Sequence, residues 1–200
     1  MSMMRGLLVL TSALLLGACV PNNVRQDDVA LFDLGDAPVA WNAPMLSGVD
    51  VLAPSWLGTP AMQYRLAYAE AGAPRRRAFA ENRWAAPPAE LIEQALRRRA
   101  MAAAGREDAL GCRLRIDLDE FVQVFDAARS SRVVLSLRAS LVSRNNDVVA
   151  NRAFSLERGA ASADAAGGVA AAMAAVQGLT GDLAAWISGE KSALVIRCGR

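Results

Sequence analysis

The run Arg113-Leu114-Arg115-Ile116-Asp117-Leu118-Asp119 sets apolar side chains at every second position and charges of both signs between them. Successive side chains of a strand point to opposite faces, so this alternation predicts a strand with one side in a core and the other in water. The phase breaks at Phe121, Val122, Val124 and Phe125, which predicts a bulge near Asp119 or Glu120 that turns apolar residues to a second surface. Asp117, Asp119 and Glu120 invite a reading as paired acids or a cation site. The alternation instead puts both aspartates on the wet side opposite Arg113 and Arg115, where cross-strand salt links are expected.

Downstream, Val133 to Leu141 and Val148 to Leu156 read as two further strands. They flank Asn145-Asn146-Asp147, whose residues tolerate the left-handed backbone of a tight hairpin. Residues Ser162 to Ser188 are alanine-rich, and Val169, Met173, Val176, Thr180, Leu183 and Ile187 recur at intervals of three and four. That spacing draws one apolar stripe along a helix, expected to pack on the sheet rather than to bind a partner. Asp164, Gln177 and Asp182 argue against a membrane span. Gly167-Gly168 lacks the flanking pattern of a nucleotide loop and is expected to allow close helix packing or a helix start. Gly189 ends the helix, and Leu194-Val195-Ile196-Arg197-Cys198 reads as a short edge strand.

Upstream, Val29 to Gly35 and Val49 to Pro54 are strand candidates, joined by a looser connection carrying Pro38, Trp41 and Pro44. Met62 to Tyr68 and Arg77 to Arg83 form a hairpin candidate across Gly72 and Pro74. Trp84 then leads through Pro87 and Pro88 into a helix with Leu91/Ile92, Ala95/Leu96 and Ala100 at helical spacing and Glu93 four residues before Arg97; Gly105 ends it. Arg97-Arg98-Arg99 is expected to form a solvated face rather than a lipid-phosphate or partner contact. The assembled expectation is an α+β protein, a single compact domain at 29–200 with a mixed, mainly antiparallel sheet and helices packed on it.

The amino terminus says where such a domain resides. Leu16-Gly17-Ala18-Cys19 closes the apolar run Leu7 to Leu16 behind Arg5 and resembles a bacterial lipobox. Residues 1–18 are therefore expected to be a lipoprotein signal peptide, too short to serve as a span. Cys19 is expected to carry the acyl chains and 19–28 to form a tether. Val20 after the cysteine favours export to the outer membrane, by resemblance to enterobacterial sorting. The formal charge of the 200-residue chain is +2, which gives a nucleic-acid partner no electrostatic support. Cys112 and Cys198 remain and are expected to be bridged across a long loop in an oxidising compartment, the alternative being two separate buried thiols. With no histidine and no CxxC, the thiols do not complete a zinc site.

The absence of histidine also removes Ser-His-Asp and Cys-His arrangements. Ser-Lys chemistry would rest on Lys191, the only lysine, beside Ser192 in an exposed context that does little to make an amine a base. No catalytic residue, metal or cofactor is expected, and the chain does not read as an enzyme.

Asn82-Arg83-Trp84-Ala85-Ala86-Pro87-Pro88, the helix after it and Leu114 to Phe121 resemble the ABC-type transport auxiliary lipoproteins, the PqiC-like family. The order of parts, from the lipobox through Phe32-Asp33-Leu34-Gly35 to the C-terminal helix, covers nearly the whole mature chain. Ala86 stands where members often carry an acidic residue. The resemblance implies a non-catalytic role beside an MCE-domain protein, a permease and an ATPase that move lipids across the envelope. The lipoprotein would face the periplasm, anchored through Cys19 and docking the complex at the outer membrane. Arg83 and Trp84 become partner-binding candidates if their turn is exposed; otherwise Trp84 belongs to the core. Two other readings are a lipoprotein that binds phospholipid between the sheet and the alanine-rich helix, and a pilot factor for another envelope complex. Homo-oligomerisation is compatible with each.

Overall fold

The computed structural model describes residues 29–35, 41, 46–69, 72, 75–100 and 110–198. The signal peptide, Cys19, the tether, Pro38, Pro44, Pro74 and Gly105 lie outside the described residues. Within them the chain runs β1 (Ala30–Phe32), β2 (Leu46–Leu52), a 3-10 turn (Ser55–Leu57), β3 (Ala61–Leu66), β4 (Arg77–Trp84), α1 (Pro88–Ala100), β5 (Leu110–Ala127), β6 (Ser130–Val142), β7 (Val148–Gly159), α2 (Ala165–Gly189) and α3 (Lys191–Cys198). The strands make one mixed sheet in the order β1-β4-β3-β5-β6-β7, with β2 also on β5. It is an α+β fold, a single compact domain with helices packed on the sheet.

β5 organises the sheet because it is long enough to carry two neighbours along one edge. Its first half pairs in parallel with β2, Val49 opposite Leu114, and its second half pairs in parallel with β3, Tyr64 opposite Gln123. Its other edge carries β6 antiparallel for nearly its whole length, and β7 follows through a hairpin. Asn146 in that hairpin takes φ 71°, the left-handed conformation expected of the Asn-Asn-Asp turn.

The expected bulge is present: the β5–β6 register shifts between Leu118 and Glu120. Its effect on the apolar residues is divided. The extra residue reverses the phase, so Phe121 stays in the main core with Leu114, Ile116 and Leu118, while Val122 and Val124 are buried outside that cluster.

All three helices share one apolar core with the inner sheet face. α2 lies on β6 and β7, with Val176, Leu179, Leu183 and Ile187 buried beneath it. It is long and apolar enough by composition to cross a membrane, but its stripe is spent on the sheet. Trp41, in the looser connection, is tucked into the same core. α1 packs on β2, which among the described residues has β5 as its one strand neighbour, and supplies partners to that strand's open edge. Glu93 Oε2 accepts from the Val51 N–H at 2.8 Å, and Arg97 Nε donates to the Val49 carbonyl at 2.9 Å. Unpaired strand groups are thus satisfied by side chains of a helix.

The C-terminal tail differs from the expected edge strand: residues 191–198 are helical. Consecutive Val195 and Ile196 suggest a strand, yet both are exposed, whereas Leu194 and Cys198, one helical turn apart, are buried. Contacts with β5, β7 and α2 outweigh the β preference of two solvent-facing residues. Cys198 forms a disulfide with Cys112 at the start of β5, the Cα atoms 5.2 Å apart across a sequence separation of 86.

Candidate functional site

Strand alternation sends Arg83 and Trp84 to different surroundings. Trp84 is 5% exposed, its ring 5.4 Å from that of Phe121. Its N–H donates to the Pro60 carbonyl, and the next N–H, of Ala85, donates to Phe32, so this turn ties β1 and the chain entering β3 to β4. Arg83 is half-buried, its guanidinium folded back on the carbonyls of Phe79 and, at 3.0 Å, Asn82. The two residues do not form one aromatic-basic surface. Trp84 is part of the frame, and Arg83 is what this turn offers outward.

The acids of β5 are engaged in ion pairs. Asp119 meets Arg138 of β6 at 3.0 Å, and Arg113 meets Asp50 of β2 at 3.5 Å; Asp117 pairs along its own strand with Arg115 at 3.3 Å. Glu120 is the most enclosed, held by Arg65 and by both terminal nitrogens of Arg76 at 2.8 Å. No local pattern announces this triad, because Arg65 and Arg76 lie 55 and 44 residues from Glu120. Burial lowers the Arg76 pKa, and the nearby Arg65 charge adds to that effect. Beside the triad, Arg65, Leu66, Val122, Val124, Arg132, Val134 and Glu157 line a groove on the sheet face turned away from the helices. Arg132 there is bonded to Asp126, which raises its pKa.

On the inner face, Gly167-Gly168 serves the start of α2. Asp164 caps the helix, its Oδ1 accepting from the Gly167 N–H at 2.7 Å and from the Ser162 hydroxyl at 2.8 Å. These bonds, the Gly167 one foremost, hold the Asp164 carboxyl below its ordinary range. A Cβ on Gly168 would sit 2.1 Å from Gln123 Oε1, so only glycine lets α2 come this close to β5. Gln123 is 4% exposed and donates to Ser131 Oγ at 2.9 Å and to the Asp164 carbonyl at 3.0 Å. Between Gln123, Met62, Phe79, Trp84, Phe121 and Ala172 remains a hollow of about 20 Å³, room for one water rather than an acyl chain.

Lys191 and Ser192 open α3 on the exposed surface. Among the described residues no group of three or more cysteine, aspartate and glutamate side chains is placed to hold a metal. Arg97 pairs with Glu93 at 3.0 Å, so the basic run on α1 is partly committed to the fold.

Comparison with known proteins agrees with this architecture. The family model described as ABC-type transport auxiliary lipoprotein component matches residues 38–184. A crystal structure of a Xanthomonas campestris protein superposes with a TM-score of 0.62 at 22% identity, covering 82% of this chain and 95% of that one. A second crystal structure, of an uncharacterized protein, gives 0.59 at 17% identity, covering 80% and 98%. Both show the same fold. No curated protein matches the chain.

Proposed function

The chain belongs to the family of ABC-type transport auxiliary lipoprotein components, and from that premise we propose that it docks an MCE-type lipid transporter at the outer membrane. Membership assigns an accessory role in ABC-type transport within the bacterial envelope; the MCE partner, the outer membrane and the acylated Cys19 are the finer reading. The observation that carries it is the family match over most of the folded domain. The lipobox ending at Cys19 and the lack of any histidine in the sequence support a tethered, non-catalytic component. Energy for transport would come from the ATPase of the same system, and this chain would contribute position and contact. Arg83 is the partner-facing candidate at its turn, with Trp84 supporting it from beneath.

Affinity purification of the lipidated protein from native membranes, with identification of bound proteins and lipids, tests the proposal. Recovery of an MCE-domain protein with its permease and ATPase from an outer-membrane fraction is the expected result. Recovery of a different envelope complex overturns it. A Cys19→Ala form that still takes up palmitate label overturns the anchor.

A further inference from the structure

Of the four tryptophans in the sequence, Trp41, Trp84 and Trp186 are buried, while Trp56 is 51% exposed. Trp56 sits in the 3-10 turn after β2 and shares a hollow with Leu52, Pro54, Asp117, Asp119 and Arg138, on the sheet face opposite the helices. Its ring is mounted rather than loose. The Arg76 guanidinium, itself clamped by Glu120, lies 5.8 Å from the ring centroid, and Gln63 donates to the Trp56 carbonyl. Leu52, on the same hollow, is 48% exposed. Leu31 is 68% exposed on β1; its neighbour Phe32 packs into the core, so alternation sends Leu31 to the outer face. The register sets Leu31 beside Arg83 and Arg83 beside Ala61, which places Leu31 two strands from the segment that follows Trp56. Trp56 with Leu52, and Leu31 two strands away, are therefore exposed apolar side chains on the outer sheet face.

The length of chain before β1 limits how far the domain can lie from a membrane that holds Cys19. Cys19 and Val29 are separated by about ten residues, which span at most ~35 Å when fully extended. A domain acylated at Cys19 cannot carry β1 farther than that from the bilayer. Tethering keeps the effective concentration of membrane surface high, so a contact too weak to form in free solution becomes populated. Tryptophan suits the headgroup boundary, with an apolar body and a polar N–H. Arg115 and Arg138 on this face are paired with Asp117 and Asp119, and Glu120 is shared by Arg65 and Arg76, so most of the charge is internally compensated and apolar burial is the main contribution to the contact.

We propose that the outer sheet face around Trp56, with Leu31 and Leu52, docks on the headgroup layer of the membrane that holds Cys19. The docking rests on the lipoprotein reading and adds an orientation to it: the helical face points away from the bilayer.

The test uses the full lipidated protein in phosphatidylcholine–phosphatidylglycerol vesicles with or without bromine on the acyl chains. Flotation reports the anchor, and quenching of tryptophan emission by bromine reports ring contact. The expected result is flotation together with quenching that disappears in Trp56→Phe and weakens in Leu31→Ser and Leu52→Ser. Flotation with no Trp56-dependent quenching overturns the docking and leaves the anchor standing. Absence of flotation overturns both. Trp56 shielded from iodide in step with protein concentration, without bromine quenching, makes the patch an interface between copies and also overturns the proposal.

Discussion

Gly168 and Asp164 fix the start of α2 by opposite means, one by lacking a side chain and the other by the reach of its carboxylate. Gly168→Ala must displace a Gln123 amide that is pinned by two hydrogen bonds, so a loss of about 1–3 kcal/mol is expected in urea unfolding. Gly181→Ala, on the exposed side of the same helix with nothing within 4 Å of the added Cβ, is the control. It should gain about 0.5–1 kcal/mol, because alanine loses less backbone freedom in a helix. Asp164 gives a pH dependence. Its folded-state pKa is depressed, so its stabilisation is fully present above the unfolded-state value of about 3.9 and is lost as pH falls through the folded value. Between neutral pH and acid, the wild type should lose more thermal stability than Asp164→Asn, which keeps a capping oxygen but does not titrate. Equal acid sensitivity of the two would remove Asp164 from the account.

Among the elements, β2 and α3 each depend on a link that the local sequence does not advertise. Glu93→Ala leaves the buried Val51 N–H without its acceptor and is expected to cost about 1–3 kcal/mol. Hydrogen exchange should accelerate at Val51 first. For α3, an eight-residue helix is too short to persist alone, so its stability comes from Leu194, Cys198 and the disulfide. Replacing Cys112 and Cys198 by serine opens a long covalent loop and is expected to cost about 2–5 kcal/mol. If amides 194–198 stay as protected as in the wild type, the bridge is not what holds α3.

For the whole molecule, Trp84 joins the edge strands to the core that the helices cover, so Trp84→Ala should lower global stability by about 3–5 kcal/mol. Arg83→Ala should leave the unfolding midpoint nearly unchanged and reduce partner recovery in a pull-down. The reverse pattern would place the docking determinant elsewhere.

What the sequence determined by itself was set by local rules. Alternation in 113–119 gave the central strand and its wet face, the broken phase gave the bulge, Asn145-Asn146-Asp147 gave the hairpin, and the stripe from Val169 to Ile187 gave the long helix. These features are legible because side-chain periodicity and turn conformation depend on near neighbours. Tertiary structure decided what depends on residues far apart in the chain. It made the tail a helix against β5, sent Trp84 inward and Arg83 outward, closed Glu120 between two distant arginines and left Trp56 alone among the tryptophans in the open. Each outcome follows from which surfaces the sheet order brings together, and strand order is a balance of long-range burial that no single stretch of sequence encodes.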